Sequence, residues 1–270
     1  MKGSAMDNTA YRDVLYEEKD GVATITLNRP DSMNAIRVGM YEEIADAIHR
    51  AGWNREIGVI VLTGAGERAF CVGGDSSDKK SERKGRGIIG VPLDQIHSAI
   101  RDVPKPVIAK VRGYAIGGGN ALATICDLTI AAESAKFGQV GPRVGSVDPG
   151  FGTAYLSRIV GEKKAREIWF LCRRYTAQQA AAMGLVNQVV PDAELDAEVD
   201  RWCQEILALS PTAIAIAKAS FNADSEHIKG IGALGMNAVA LYYGTDEAKE
   251  AGQAFREKRK PIFRNRDRQS

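Results

Sequence analysis

The sequence is poor in the residues that build metal sites and disulfide frameworks. Its 270 residues include four cysteines (Cys71, Cys126, Cys172, Cys203) and three histidines (His49, His97, His227). There is no C-x-x-C pair and no metal-ligand spacing among the histidines, so a reduced compartment and no bound metal are expected. No segment reaches the roughly 18 consecutive apolar residues needed to span a bilayer, and the amino terminus lacks a cationic stretch leading into an apolar run. The expectation is a soluble, cytoplasmic protein with no membrane partner. Strong charge imbalance is missing too: a net charge of +2 and a pI near 8.3 are too mild to imply nucleic acid on global electrostatics.

What is present is an ordinary globular composition, 44% hydrophobic and 26% charged, long enough for one large core. Val14 to Tyr16 and Val22 to Leu27 flank a Lys19-Asp20-Gly21 turn signal and read as a strand pair. Met40, Ile44, Ala47 and Ile48 recur at helical spacing, and Val59 to Thr63 reads as a fully buried strand ending at Gly64. A helix from Leu93 to Ile100, a Pro104-Lys-Pro106 break, a strand Val107 to Val111 and a strand Cys126 to Ala131 follow. This alternation predicts a layered α/β core. From about residue 192 the pattern turns helical, with apolar faces at Leu195, Val199, Trp202, Ile206 and at Ile228, Ile231, Leu234, Ala238, Leu241. Such faces need a surface to cover, in the same chain or a neighbouring one. The division expected is a core over 11–191 and a helical region over 192–270.

Two glycine-rich segments, Ala69 to Asp75 and Gly113 to Asn120, each follow a buried strand. Either alone could be a tight turn. As a pair they can aim two backbone amides at one oxygen, and an amide at a helix amino end adds the positive pole of the macrodipole. Gly113 to Gly119 lacks the full G-x-G-x-x-G arrangement, so no dinucleotide is implied. Basic residues cluster in two runs, Lys79, Lys80, Arg83, Lys84, Arg86 and Arg256, Lys258, Arg259, Lys260, Arg264, Arg266, Arg268. They are read as solvated surface, or as contacts for a phosphate-rich ligand.

The ordered motifs Asn28-Arg-Pro30, Asn34-Ala35, Gly73-Gly74-Asp75, Pro104-Lys-Pro106, Gly113-Tyr-Ala-Ile-Gly-Gly-Gly119, Cys126-Asp-Leu128, Phe137-Gly-Gln139 and Ala180-x-x-Met-Gly-Leu185 resemble the crotonase (enoyl-CoA hydratase/isomerase) superfamily from end to end. The resemblance implies a spiral of repeated ββα units with a helical carboxy-terminal trimerisation region. It also implies an acyl-CoA substrate, an oxyanion hole at Gly74 and Gly118, and a homo-oligomer, either a trimer or a hexamer built as a dimer of trimers.

Hydratases of the family carry glutamates two residues after the Gly-Gly-Gly run and two after the glutamine of Phe-Gly-Gln; here these are Ala121 and Gly141. Without them, addition of water to an enoyl double bond has no evident acid or base. The run Gly138 to Gly150, with Gly161 to Trp169, instead resembles the branch that holds the naphthoate synthases and, over nearly the whole chain, the 2-ketocyclohexanecarboxyl-CoA hydrolases of anaerobic benzoate degradation. That resemblance puts Asp148, Ser146 and Tyr243 among the catalytic groups. It puts Arg37, Gly73, Asp75 and Lys258 against coenzyme A. It requires no cofactor, while allowing a bicarbonate near Gln139 to Gly141.

The plainer readings are a turn or helix-capping role for Asp148, an ordinary loop hydroxyl for Ser146, a packing aromatic for Tyr243, and a core or surface histidine for His97. Ring-opening hydrolysis of a cyclic β-keto acyl-CoA is the activity expected. Its alternatives are a ring-closing naphthoate synthase and, from another class, a catalytically idle relative that binds coenzyme A or RNA.

Overall fold

The computed structural model describes residues 11–75, 77 and 90–264. The first basic run, the rest of the loop 77–89, Arg266 and Arg268 lie outside the described residues. Strands β1 (Val14–Lys19) and β2 (Val22–Leu27) form an antiparallel hairpin in which Val14 faces Leu27. Asp20 and Gly21 both take positive φ, 49° and 82°, as a two-residue turn matching the strand twist requires.

Helix α1 (Val38–Trp53) leads to β3 (Val59–Gly64), β4 (Ala69–Cys71) and α2 (Leu93–Asp102). The pattern repeats as β5 (Val107–Val111), β6 (Tyr114–Ile116), α3 (Gly118–Ile125), and again as β7 (Leu128–Ala132), β8 (Lys136–Gly138), α4 (Gly141–Val144). After α5 (Leu156–Val160), α6 (Glu162–Leu171), β9 (Tyr175–Thr176), α7 (Ala177–Ala182) and β10 (Gln188–Val190) come α8 (Leu195–Leu207), α9 (Pro211–Ala223), α10 (His227–Tyr242) and α11 (Asp246–Arg256).

Each ββα unit adds one strand to each of two sheets, ordered β1-β2-β3-β5-β7-β10 and β4-β6-β8-β9. The expected mixed α/β architecture with a helical carboxy-terminal region is therefore present. The predicted strand Cys126 to Ala131 instead begins at Leu128. Cys126 still donates to Leu122 at the end of α3, and the Asp127 carboxylate is tied to the Val107 amide at 2.8 Å.

The run Val59-Ile60-Val61-Leu62 is apolar throughout because the large sheet is covered on both faces. Ile60 and Leu62 join the main core, while Val59 and Val61 meet Leu195, Val199 and Cys203 of α8 on the other side. Lys218 of α9 is buried and its ammonium donates to the Ile100 and Lys105 carbonyls and to Asp127, each at 2.7 Å. Full pairing of this kind is what makes a buried charge tolerable. Arg101 completes the tie by donating to the Asn222 carbonyl (2.9 Å) and the Ser225 hydroxyl (2.8 Å).

The apolar face predicted on α10 behaves differently. Ile228 is buried, but Leu234 and Leu241 are 74% and 78% exposed, so the described residues do not cover that face. Among the described residues no single helix is long and apolar enough to cross a membrane.

Candidate active site

The two glycine turns sit side by side because β4 and β6 pair in parallel and deliver their carboxyl ends to the same edge. Ile36 donates to the Gly73 carbonyl at 2.8 Å and accepts from Asp75 at 2.9 Å, which pins the chain on both sides of Gly74. Gly117, at φ 59°, donates to the Gly138 carbonyl at 2.9 Å and lets α3 begin at Gly118. A Cβ added at Gly73 would lie 2.7 Å from the Gly118 nitrogen, and one added at Gly118 would lie 3.7 Å from the Gly74 nitrogen. The two predicted amides are thus neighbours, at a spot where no side chain fits between them. One of them is at a helix amino end, where developing negative charge is favoured.

Asp148 is the next candidate, in the loop just before the turn Phe151–Tyr155. Its carboxylate lies against Gly152, where an added Cβ would come within 2.6 Å of both Cγ and Oδ2. Both oxygens are buried and meet no donor in hydrogen-bonding geometry among the described residues. Burial therefore raises the carboxyl pKa to about 7, with the nearby Gly152 amide pulling only partly the other way. Burial thus outweighs amide bonding here, unlike the usual Asp at a turn or helix end. A carboxyl that titrates near neutrality can serve as base or acid.

Ser146 and Tyr243 meet directly, hydroxyl to hydroxyl at 3.1 Å, although 97 positions separate them. The carboxy-terminal helices reach the loop 145–150 through small residues. A Cβ at Gly150 would lie 2.7 Å from Gly232 Cα, and one at Gly235 would lie 2.3 Å from Pro149. Gly145 is just as close to α11, where its Cβ would be 2.7 Å from the Ala248 carbonyl oxygen. Tyr242 lines an open groove of about 680 Å³ with Pro142, Ser146, Val147, Glu247 and Phe263. Tyr243→Phe deletes only the hydroxyl, so stability is expected to change by less than about 1 kcal/mol. In steady-state kinetics kcat is expected to fall about a hundredfold, the usual scale for a positioned proton donor.

The coenzyme A contacts are less gathered. Asp75 is occupied by Arg29 at 2.8 Å and by the Ser77 amide and hydroxyl at 2.9 and 2.6 Å. Burial opposes its charge, but Ser77 and Arg29 outweigh that, and its pKa falls below the usual carboxylate value. Arg37 is ion-paired with Asp13, next to the Ile36 bridge to Gly74, so a phosphate there would compete with that carboxylate. Lys258 is exposed just past α11, and among the described residues nothing joins it to the other candidates. Its neighbour Arg259 pairs with Glu250 and Glu257.

Gly141 has a role that its place in the sequence did not reveal. A Cβ there would stand 2.4 Å from the Ser146 carbonyl oxygen and 2.9 Å from the Trp169 ring. Gly141 also accepts from the Ser146 amide at 2.8 Å, and the Trp169 indole donates to the Gly152 carbonyl. Gln139 presents a buried Nε2 without an acceptor among the described residues, a donor that suits an anion such as bicarbonate.

Residues 17–266 match the family described as enoyl-CoA hydratase/isomerase. Solved structures share the fold over almost the whole chain. An enoyl-CoA hydratase from Mycobacterium avium subsp. paratuberculosis is 30% identical, with a TM-score of 0.84 over 94% of this chain and 99% of that one. An enoyl-CoA hydratase/isomerase from Pseudoalteromonas atlantica is 27% identical, with a TM-score of 0.85 over 94% of this chain and 100% of that one. A protein from Magnetospirillum magneticum named as an enoyl-CoA hydratase/carnithine racemase is 32% identical, with a TM-score of 0.73 over 94% and 96%.

Proposed function

The chain belongs to the enoyl-CoA hydratase/isomerase family and acts on coenzyme A thioesters, and we propose that within that family it hydrolyses the ring of a cyclic 2-oxo-carboxyl-CoA. One exchange of carboxylates supports this over hydration, the activity named for the similar structures. The two glutamate positions of the hydratases are Ala121 and Gly141, the second with no room for any side chain, whereas Asp148 is a buried carboxyl near neutrality against the turn Phe151–Tyr155 that packs on α3.

A 2-oxocyclohexanecarboxyl thioester is a β-keto thioester. Ionised Asp148 takes a proton from water as its oxygen adds to the ring ketone, with Ser146 and Tyr243 holding the partners in register. When the adduct collapses, the bond from the former ketone carbon to the α-carbon breaks and its electron pair passes into the thioester enolate. The Gly74 and Gly118 amides bind that oxygen, a contribution of about 3 kcal/mol for each donor in comparable sites. Protonated Asp148 or Tyr243 then returns a proton to the α-carbon. The product from the six-membered ring is pimeloyl-CoA, with no cofactor consumed.

Side-by-side turnover of 2-oxocyclohexanecarboxyl-CoA, crotonyl-CoA and the bulky aromatic thioester of the naphthoate synthases tests the assignment. Preference for the first supports it; preference for either of the others overturns it. The uncovered face of α10 (Ile231, Leu234, Leu241) is assigned to contact between copies of the chain, as a trimer or a dimer of trimers. Light scattering that returns a monomer would overturn that assignment. A cytoplasmic setting accords with four buried, unpaired cysteines.

A further inference from the structure

Helix α2 carries two buried polar side chains one turn apart, His97 and Arg101, on an otherwise apolar inward face of Ile96, Ala99 and Ile100. Arg101 donates through Nη2 to the Asn222 carbonyl and the Ser225 hydroxyl and lies over the Phe151 and Tyr155 rings, at 5.3 and 5.2 Å, while its Nε and Nη1 have no partner among the described residues. His97 lies one turn before it. It is 5% exposed, and its Nε2 is buried without a partner among the described residues. Most buried polar atoms in folded proteins are paired, and an apolar side chain would fill this place without leaving one unmet.

The surroundings of His97 indicate what the missing partner is. Its ring stands edge-on to Phe151, centroids 5.0 Å apart and planes at 72°. Phe151 opens the π-helical turn Phe151–Tyr155, whose Gly152 touches the Asp148 carboxylate. That turn also packs against α3, the helix that begins at the candidate oxyanion residue Gly118. His97 therefore packs on the turn that touches the candidate base and also contacts α3.

We infer that the His97 imidazole contacts the substrate directly, as the hydrogen-bond donor that recognises the ring oxygen of the 2-oxo acyl group. Burial depresses its pKa to about 3, so the ring is neutral across the working range and offers one N–H and one lone pair. A neutral donor matches an uncharged ketone and strengthens its hold as that oxygen becomes an alkoxide when water adds. The inference rests on the ring-opening reading above and deepens it, by giving the site a means to select oxo rings over plain hydrocarbon rings.

The test compares His97→Leu and His97→Gln with the unaltered protein. The readouts are kcat/KM for 2-oxocyclohexanecarboxyl-CoA and the inhibition constant of cyclohexanecarboxyl-CoA, which lacks the oxo group. His97→Leu is expected to lower kcat/KM at least about tenfold while changing the inhibition constant less than about twofold; His97→Gln, which keeps an N–H donor, recovers part of the loss. Equal losses in both quantities, or no loss in either, overturn the role of His97. If the unaltered protein binds cyclohexanecarboxyl-CoA but does not open the oxo ring, the ring-opening reading fails first. Melting curves of both variants establish that each is folded, and His97→Gln carries the test if the leucine variant is not.

Discussion

At pH 8, Asp148→Asn is expected to lower kcat/KM by about 10²–10⁴-fold, the range for loss of a general base, and at the same time to stabilise the protein. The two effects have one origin. Burial of the Asp148 carboxyl outweighs the nearby Gly152 amide, so its pKa in the folded chain, about 7, lies above the ordinary 3.8 that it has when unfolded. Below about pH 4 the group is neutral in both states and contributes no penalty. Between about 4 and 7 the unfolded chain ionises while the folded one resists, so stability falls as pH rises. Above 7 the full penalty applies, on the order of 4 kcal/mol. Asparagine removes the charge but leaves a buried amide of its own, which returns part of the gain. The net expectation is about 1–3 kcal/mol at pH 8, seen as a melting temperature several degrees higher, and little difference at pH 4. In the unaltered enzyme kcat/KM should rise with pH through a midpoint near 7 as the base ionises. A flat profile, or an Asp148→Asn protein with normal turnover, contradicts the assigned role.

Gly73→Ala is expected to lower kcat by about 10²–10³-fold, the loss typical of removing one oxyanion donor. The added methyl would lie 2.7 Å from the Gly118 nitrogen, and the backbone there has φ 88°, which an alanine adopts only with strain. A stability loss of about 1–3 kcal/mol should accompany it. Gly39→Ala is the control, because a methyl at that position of α1 meets nothing within 4 Å. It should stabilise by roughly 0.5–1 kcal/mol and leave kcat unchanged. Equal kinetic effects of the two substitutions would remove Gly73 from the site.

How much of this the chain declared in advance depended on the length of each signal. The β1–β2 hairpin, α1, β3, α2 and β5 are long enough for apolar periodicity to show, and each stands where its pattern placed it. The second sheet was not legible. Strands β4, β6 and β8 are three residues each and β9 only two, too short to carry a period, and they exist because neighbouring ββα units supply partners. The glycine turns were visible as composition, but their meeting depends on the β4–β6 pairing.

The site shows the same division. The Ser146–Tyr243 contact spans 97 positions and could be named only through family resemblance, since no local pattern couples a loop serine to a helix-end tyrosine. The shifted acidity of Asp148 comes from burial alone, and burial of one side chain in a glycine-rich loop has no sequence signature. At Gly141 the motif marked a missing glutamate but not the reason, which is the Ser146 carbonyl and Trp169 ring closing the space.

The most direct measurement is incubation with 2-oxocyclohexanecarboxyl-CoA in oxygen-18 water, followed by mass spectrometry of the thioester product. Ring opening by water predicts pimeloyl-CoA with one heavy oxygen in its free carboxylate. Unopened ring, or a linear product without the label, would contradict it.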